Sequence, residues 1–299
     1  MTDTMQVFDR AAKRRQRRRA AALAGDHDFL RAAVADRLLD RLDDIKRRFP
    51  LTLVQGCDGA WLQPHLAGRG GIETLVSLDP VASAAPLHVV GDEEFLPFAA
   101  GQFDLVIALM NLHWINDLPG ALIQIRRALK PDGLFLGAML GGQTLTELRQ
   151  AWLAAESEIE GGVSPRVSPM AETLDGAALL QRAGFALPVA DSEMLTVTYG
   201  DPFRLMQDLR GMGETNAAAG RRRGFTRRAT LLRMAELYRQ RHAGEDGRIP
   251  ASFEVITLTG WSPHESQQKP LRPGSAAHSL AAALDTVEYP LGDRTGPRR

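Results

Sequence analysis

Between residues 51 and 140 the sequence alternates short apolar segments with segments of helical periodicity. The apolar segments, which we predict to be five strands, are residues 51–55, 74–78, 87–90, 103–110 and 134–140. Strands that alternate with helices form βαβ units, and strands without a polar face are typical of a parallel sheet covered by helices on both sides. This one pattern excludes all-helical and all-β folds and predicts an α/β protein.

The segments on either side complete the predicted organisation. Residues 5–24 favour a basic helical arm, and residues 28–48 carry apolar side chains at spacings of three and four, which predicts a second helix. We expect further helices at 60–67, 118–129, 143–159 and 171–183, further strands at 185–198 and 251–259, and an arginine-rich, mostly helical segment at 201–243. The predicted regions are a helical arm (1–48), an α/β core (49–200), a helical insertion (201–250) and a last strand with an irregular tail (251–299).

Composition narrows the range of functions. The 36 lysines and arginines balance 36 aspartates and glutamates, which argues against a general nucleic-acid-binding protein. The single cysteine, Cys57, excludes an internal disulfide and any multi-cysteine metal site. No apolar stretch approaches the ~20 residues of a membrane-spanning helix. The N-terminus is rich in arginine, as mitochondrial presequences are, but contains Asp3 and Asp9, and we expect a bacterial cytoplasmic protein with peripheral contact to the inner membrane.

A turn with two glycines, Gly56-Cys57-Asp58-Gly59, follows the first predicted strand. Such a turn before a helix can cradle a nucleotide, because glycine lets backbone N–H groups approach the ligand, although ligand-free βα turns use the same residues. Two carboxylate positions favour the nucleotide. Asp79 ends the second strand, where it can accept hydrogen bonds from ribose hydroxyls, and Asp92-Glu93 follow the third, where a carboxylate can face an adenine amino group. The predicted cofactor-binding residues are Gly56, Cys57, Asp58, Gly59, Asp79, Asp92 and Glu93.

These residues belong to a wider pattern. It comprises the turn at 56–59, Asp79, Gly91-Asp92-Glu93-Glu94-Phe95-Leu96-Pro97-Phe98, Phe103-Asp104-Leu105-Val106 and Leu129-Lys130-Pro131-Asp132-Gly133. The pattern resembles the class I S-adenosylmethionine-dependent methyltransferases. This resemblance implies a Rossmann-like seven-stranded methyltransferase sheet with helices on both faces, S-adenosyl-L-methionine as cofactor, and an insertion at 201–250 that covers the substrate side.

Five further segments resemble a narrower group within that superfamily. They are residues 7–10, 112–118, 161–165, 208–216 and 260–267, and the most distinctive are Gly-Met-Gly-Glu at 211–214 and Trp-Ser-Pro-His-Glu-Ser-Gln at 261–267. These segments are similar to the mitochondrial complex I assembly factors that act as arginine hydroxylases, and to their alphaproteobacterial relatives. The resemblance implies modification of a protein side chain, by arginine hydroxylation, on a peripheral-arm subunit of respiratory complex I (NADH:quinone oxidoreductase).

The glycine turn departs from the superfamily pattern, which reads acidic-x-Gly-x-Gly-x-Gly. Val54 occupies the acidic position, Asp58 the second glycine and Ala60 the third, and only Gly56 keeps its place. Asp58 adds a Cβ and a negative charge where close approach to the ligand is expected, so cofactor binding is altered or weakened at this turn. Asp79 and Asp92 argue against its complete loss.

Methyl transfer requires little covalent help from the protein, because the sulfonium already activates the methyl group. The catalytic candidates after the fourth strand are Asn111, His113 and Trp114, of which the last two are equally typical of a packed loop. His264 and Glu265 form a polar pair that either contacts the substrate or fixes the tail to the sheet. The His-x-Asp/Glu spacing usual in non-haem iron sites is absent after all seven histidines, and we predict no metal site.

Two other function classes stay open. A methyltransferase acting on a small molecule or a carrier protein, similar to the malonyl-carrier-protein enzyme, would share the N-terminal two thirds of the pattern. A non-catalytic assembly chaperone on a degenerate methyltransferase scaffold would fit the altered turn. Two basic clusters, at 10–19 and 221–228, are either solvated faces or contact surfaces for a partner protein or a membrane.

Overall fold

In a computed structural model, the structure describes residues 6–23, 27–268 and 279–287. Contacts between residues divide the chain into two units. The first, Met1–His264, contains the sheet and all helices but one. The second, Glu265–Arg299, contains the single-turn helix α9 (Leu280–Ala283) in its described part.

The sheet has seven strands, as the superfamily resemblance implied. They are β1 (Leu51–Gln55), β2 (Thr74–Asp79), β3 (His88–Val90), β4 (Phe103–Leu109), β5 (Leu129–Leu140), β6 (Ala186–Tyr199) and β7 (Ile249–Trp261). Their order is β3-β2-β1-β4-β5-β7-β6. Strands β1 to β5 are parallel to one another, whereas β7 is antiparallel to both β5 and β6. The prediction of a Rossmann-like α/β fold is confirmed.

Strand β5 differs from its predicted extent. The turn expected at 130–133 lies inside the strand, because Leu129 already pairs with Phe103 before the register shifts and Leu134 pairs with Leu105. At this register shift the backbone of Asp132 adopts the left-handed conformation, with a φ of 61°. The turn residues thus form a bulge at the amino end of β5.

The helices occupy the intervals between strands. They are α1 (Arg10–Ala21), α2 (Phe29–Asp43), α3 (Gly59–Leu62), α4 (Leu118–Ala128), α5 (Thr146–Glu160), α6 (Thr173–Arg182), α7 (Pro202–Gly211) and α8 (Arg228–His242). Helix α5 begins three residues later than predicted, because Leu145 has a φ of 55° and donates its N–H to the carbonyl of Ser252 in β7. The segment predicted as a helical insertion contains α7 and α8 with an irregular stretch at 212–227 between them.

Helices cover both faces of the sheet because successive strand residues point to opposite faces. Leu105 and Ile107 pack into one buried cluster, with apolar residues of α2, α5, α7 and α8, whereas Val106 and Ala108 pack into the other, with those of α4 and α6. The near-continuous apolar character of β4 in the sequence therefore reflects burial on both sides.

The N-terminal arm is tied to the segment that follows α7. Phe8 pairs with Ala218 in an isolated bridge, and the side chain of Asn116 bonds to both backbone groups of Phe8. Asp9 then caps α1 by accepting a hydrogen bond from the N–H of Ala12 at 2.9 Å. These contacts hold α1 beside the carboxyl ends of the parallel strands.

Candidate cofactor cleft and substrate side

The glycine turn lies at the carboxyl end of β1, next to the end of β4. Gly56 has a φ of 86°, and a Cβ at this position would lie 2.3 Å from the carbonyl oxygen of Leu109 and 2.7 Å from the Cβ of Asn111. No other residue fits there without a shift of the β4 backbone. The backbone of Gly56 therefore lines the cleft directly, as the sequence predicted.

Asp58, the departure from the superfamily pattern, acts as a helix cap. Its carboxylate accepts hydrogen bonds from the N–H of Ala60 at 2.9 Å and from the hydroxyl of Ser83 at 2.5 Å, so its charge is engaged locally. Gly59 begins α3, where a Cβ would lie 2.9 Å from Ser77. Cys57 is buried, and burial raises the pKa of its thiol to about 12, so it lines the cleft as a neutral group.

The predicted carboxylates lie at the strand ends where the sequence placed them. Asp79 and Asp92 each accept a hydrogen bond of 2.9 Å from the backbone N–H two residues further on, which fixes both side chains. Glu93 lies beside them with 6% of its surface exposed. Burial raises the pKa of Glu93, although the nearby charges of Arg17 and Arg10 oppose that shift.

Two arginines of α1 pair with these carboxylates. The Arg17 guanidinium contacts Asp79 and donates to the carbonyl oxygen of Gly56 at 2.7 Å. The Arg10 guanidinium contacts Asp92 and lies 3.3 Å from Glu93. A solvated helix face, one interpretation of the basic arm, is wrong for these two side chains, because the carboxylates at the strand ends draw them inward. The cations of α1 that stay exposed are Arg14, Arg15 and Arg18.

Arg17 divides the cleft into three cavities. It lines all of them, and their volumes are about 150, 20 and 10 Å³. Ligand pockets have volumes of roughly 300–1,000 Å³, so a nucleotide cofactor can lie along the strand ends only when the Arg17 side chain moves away. The residues that would face it fit such a ligand. Asp79 and Asp92 could accept hydrogen bonds from ligand hydroxyl and amino groups once Arg17 and Arg10 have moved. The buried side-chain amide of Asn111 has no hydrogen-bond partner within the described chain and could bond to the ligand as well.

The loop after β4 carries a buried polar network centred on Glu214. Its Oε2 accepts hydrogen bonds from the Trp114 indole at 2.8 Å and from His113 Nε2 at 3.0 Å, and its Oε1 accepts one from the Lys13 ammonium at 3.0 Å. The Nδ1 of His113 accepts a hydrogen bond from the backbone N–H of Leu140 at 3.3 Å, so its hydrogen lies on Nε2. Lys13 also lies 3.8 Å from the centre of the Trp114 ring. One carboxylate thus joins the arm, the β4 loop and the 201–250 segment.

The opposite charges of this network stabilise one another against the cost of burial. Burial alone would raise the pKa of Glu214, but Lys13 and His113 lower it to about 2. Burial lowers the pKa of Lys13 to about 8, although Glu214 opposes that shift. Burial also lowers the pKa of His113, again against the effect of Glu214. At neutral pH the network therefore holds an ionised Glu214, a charged Lys13 and a neutral His113.

The structure brings Asn111, His113 and Trp114 to the cleft but not His264. Strand β7 runs antiparallel to β5, so its last residue, Trp261, pairs with Leu134 at the amino end of β5. His264 follows at that edge of the sheet, opposite the cleft. Glu265 begins the second unit of the chain. The neighbouring Ser262 donates its N–H to the carbonyl of Gly133 at 2.8 Å, whereas the role of the His264–Glu265 pair stays a prediction.

Four residues of the site were missed in the sequence. Arg10, Lys13 and Arg17 were counted only as members of a basic cluster, and no local pattern distinguishes them from their exposed neighbours. Glu214 had a signal, because it ends the distinctive Gly-Met-Gly-Glu segment, but the segment alone does not identify the partners of its carboxylate. Within the described residues, no group of three or more His, Cys, Asp or Glu side chains could hold a metal ion. No helix in that part of the chain is long and apolar enough to cross a membrane.

Comparison with known proteins agrees with this geometry. A family model described as a methyltransferase domain matches residues 53–137. The arginine-hydroxylase NDUFAF5, mitochondrial, of Danio rerio is 43% identical over 93% of this chain and 89% of its own length, and that of Homo sapiens is 42% identical over 93% and 83%. The chain belongs to the NDUFAF5 family. This NDUFAF5-family protein is also 34% identical to the malonyl-[acyl-carrier protein] O-methyltransferase of Methylovorus sp., over 88% of this chain and 92% of that enzyme.

Solved structures show the same fold. A Bacillus halodurans protein assigned as a methyltransferase superposes with a TM-score of 0.51 at 16% identity, and the match covers 78% of this chain and 100% of that one. The methyltransferase domain and the methyltransferase relatives confirm S-adenosyl-L-methionine as the cofactor of this NDUFAF5-family protein. The predicted bacterial cytoplasmic location is wrong, because the NDUFAF5 relatives of fish, human and mouse are mitochondrial proteins.

Proposed function

We propose that this protein modifies a protein side chain, by arginine hydroxylation, during assembly of respiratory NADH:quinone oxidoreductase. One observation carries the proposal: the similarity to the arginine-hydroxylase NDUFAF5 proteins extends over 93% of the chain. It therefore includes the arm and the 201–250 segment as well as the methyltransferase core. Lys13 and Glu214, which meet at the inner end of the cleft, come from these two parts.

The side chains of the cleft have distinct roles in this proposal. Asp79 binds the ribose hydroxyls of the cofactor, Asp92 faces its adenine, and Asn111 offers its amide to the polar groups between them. In the methyltransferase alternative, the bound cofactor would supply a methyl group that its sulfonium activates. Trp114, held by Glu214 through its indole N–H, closes the site toward the substrate and excludes water. The residues show no source of electrons for hydroxylation, so this reaction rests on the relatives.

A peripheral-arm subunit of complex I is the proposed substrate. The support is the similarity to the NDUFAF5 relatives, which implies a role in complex I assembly. Within α1, the predicted contact with a partner or with membrane headgroups stays a prediction for Arg14, Arg15 and Arg18, since Arg10, Lys13 and Arg17 are paired inside the protein. In the second basic cluster it stays a prediction for the exposed Arg222, Arg223, Arg227 and Arg228.

Intact-mass spectrometry tests the proposal. The purified protein is incubated with the peripheral-arm subunit that carries the candidate arginine, with and without S-adenosylmethionine, under air and with a cell extract as a source of electrons. We expect the mass of the subunit to increase by one oxygen atom. A methyl increment instead would support the methyltransferase alternative, and an unchanged mass under every condition would refute modification.

A methyltransferase that acts on a carrier protein is the second candidate. The identity with malonyl-[acyl-carrier protein] O-methyltransferases over 88% of the chain favours it. A non-catalytic chaperone is the third, because Arg10 and Arg17 neutralise the carboxylates of the cleft. Calorimetric titration with S-adenosylmethionine separates the chaperone from both enzymes. Binding that the substitution Asp79→Ala abolishes would argue against the chaperone, and the absence of binding to the wild-type protein would favour it.

A further inference from the structure

A large cavity lies beside the cofactor cleft and is distinct from it. Its volume is about 810 Å³, and its walls come from α1, α5, the 165–170 loop, α7 and the 214–226 stretch. Trp114 lines both this cavity and the cleft cavity that contains Asn111. The cavity therefore opens toward the place where the transferred group is expected.

Arginines dominate the polar part of the cavity wall. The six that line it are Arg19, Arg166, Arg210, Arg221, Arg222 and Arg223. The only carboxylate in the wall is Glu214, whose charge Lys13 and its hydrogen bonds already compensate. The carboxylates that pair with the other arginines, such as Glu156 with Arg166, lie behind the wall and do not line the cavity. The face presented to a ligand is thus strongly positive.

Two of these arginines lack a counter-ion. Neither Arg19 on α1 nor Arg210 on α7 forms an ion pair with any described residue, and the Nε of Arg19 is buried without a hydrogen-bond partner. Burial lowers the pKa of Arg19, and the charge of Arg210 lowers it further, so the two guanidiniums lie close enough to repel each other. A bound anion would relieve this repulsion and satisfy the buried N–H group.

Apolar side chains line the same cavity, which defines the kind of anion. They include Trp152, Leu148, Met170 and Met206. A single inorganic ion would fill a small part of 810 Å³ and leave these side chains exposed to water. A peptide that carries both carboxylates and apolar side chains matches both kinds of residue in the wall.

We propose that this cavity binds an acidic, partly apolar segment of the protein substrate. The inference rests on the proposed function, since it gives the same site its substrate, but it concerns recognition and leaves the reaction open. Arg19 and Arg210 bind the carboxylates of the segment, and Trp152 and Met206 pack on its apolar side chains. The residue to be modified then extends past Trp114 toward the cofactor cleft.

Fluorescence anisotropy with two labelled peptides tests the inference on the full-length protein. One peptide alternates glutamate with leucine, and the other replaces each glutamate with glutamine. We expect the acidic peptide to bind the wild-type protein at least about tenfold more tightly, with an affinity that falls as salt is raised. Equal affinities for the two peptides would overturn the inference.

A pair of double variants locates the binding. Arg19→Gln/Arg210→Gln removes the two uncompensated charges and should weaken binding of the acidic peptide about tenfold or more. Arg18→Gln/Arg204→Gln removes the same charge from the same two helices, at exposed positions that do not line the cavity, and should change affinity less than about twofold. An equal loss in both variants would show adsorption to the basic surface and refute the cavity as the site.

Two further measurements keep the outcomes separate. Circular dichroism and thermal unfolding check that both variants fold; if Arg19→Gln/Arg210→Gln does not, competition between the peptide and a covalent label at an Arg210→Cys substitution replaces it. The intact-mass experiment is run in parallel on the wild-type protein. A modified substrate without peptide binding would refute this inference and keep the proposed function. Peptide binding without any modification would refute the proposed function and keep this inference.

Discussion

The substitution Glu214→Gln removes one negative charge from the buried network and changes little else, because glutamine has nearly the same shape. The amide oxygen can still accept the Trp114 indole N–H. The Lys13 ammonium, however, loses its only ion-pair partner among the described residues while it stays 7% exposed. Its remaining contacts are the carbonyl of Gly213 at 2.8 Å and the face of Trp114. We therefore expect a loss of global stability at neutral pH.

Proton release by Lys13 limits the size of this loss. Removing one partner of a buried ion pair destabilises a protein by about 3–5 kcal/mol when the remaining charge stays in place. The pKa of Lys13 in the folded wild type is about 8, one unit above pH 7, so releasing its proton inside the fold costs only about 1.4 kcal/mol. The expected loss at pH 7 is therefore at most about 1.4 kcal/mol. It falls toward zero at pH 9, where wild-type Lys13 has already released its proton in most molecules.

Urea unfolding of wild type and Glu214→Gln at pH 7 and pH 9 measures both quantities. The control is Glu193→Gln, which breaks the exposed Arg37–Glu193 pair and should cost less than about 1 kcal/mol at either pH. The double variant Lys13→Met/Glu214→Gln should recover most of the lost stability. The reasoning would be refuted by a loss above about 3 kcal/mol at pH 7, by a loss that is the same at pH 9, or by a double variant no more stable than the single one.

Three further predictions follow from the cleft and its network. Gly56→Ala should lower the free energy of unfolding, measured by thermal unfolding, by about 1–3 kcal/mol, because the new Cβ meets the backbone of Leu109 at a residue with positive φ. Gly101→Ala is the control, since Gly101 also has a positive φ but open space around it, so that variant measures the backbone strain without the close contact. Asp92→Asn should weaken S-adenosylmethionine binding in calorimetry about tenfold, and unchanged affinity would contradict its place beside the adenine. The stability advantage of wild type over Glu214→Gln should shrink as pH falls from about 4.5 toward 2, because a carboxyl whose folded pKa is lowered to about 2 loses its contribution over that range; a constant difference between pH 6 and pH 3 would disprove it.

The sheet and the position of the carboxylates at its edge could be predicted because their signals are local. Each parallel strand is a short apolar run, and Asp79 and Asp92 stand directly after two of those runs, so their place at the carboxyl edge follows from the direction of the strands. The ends of the helices could not be predicted from local signals. Helix α5 begins at Thr146 because of a contact between Leu145 and β7, more than 100 residues later in the sequence.

The inward arginines could not be predicted, since their partners are distant in sequence. Arg17 and Asp79 are 62 residues apart, and Lys13 and Glu214 are 201 apart. Helical periodicity gives only the side of α1 on which each cation lies, not what faces it. Predicting the position of His264 requires the direction of β7. Because this last strand is antiparallel to β5, the segment after it lies at the edge of the sheet away from the cleft.

Helix α1 forms a wall of two cavities at once. Arg17 faces the cofactor cleft, and Arg19, two residues further along the same helix, faces the large arginine-lined cavity. A ligand that displaces Arg17 breaks its contacts with Asp79 and Gly56, which help to hold the helix that carries Arg19, so we expect occupancy of one cavity to alter the free energy of binding in the other. Thermodynamic reciprocity then requires that a substrate segment change the affinity for the cofactor by the same factor that the cofactor changes the affinity for the segment. The two sites are thereby coupled through one helix.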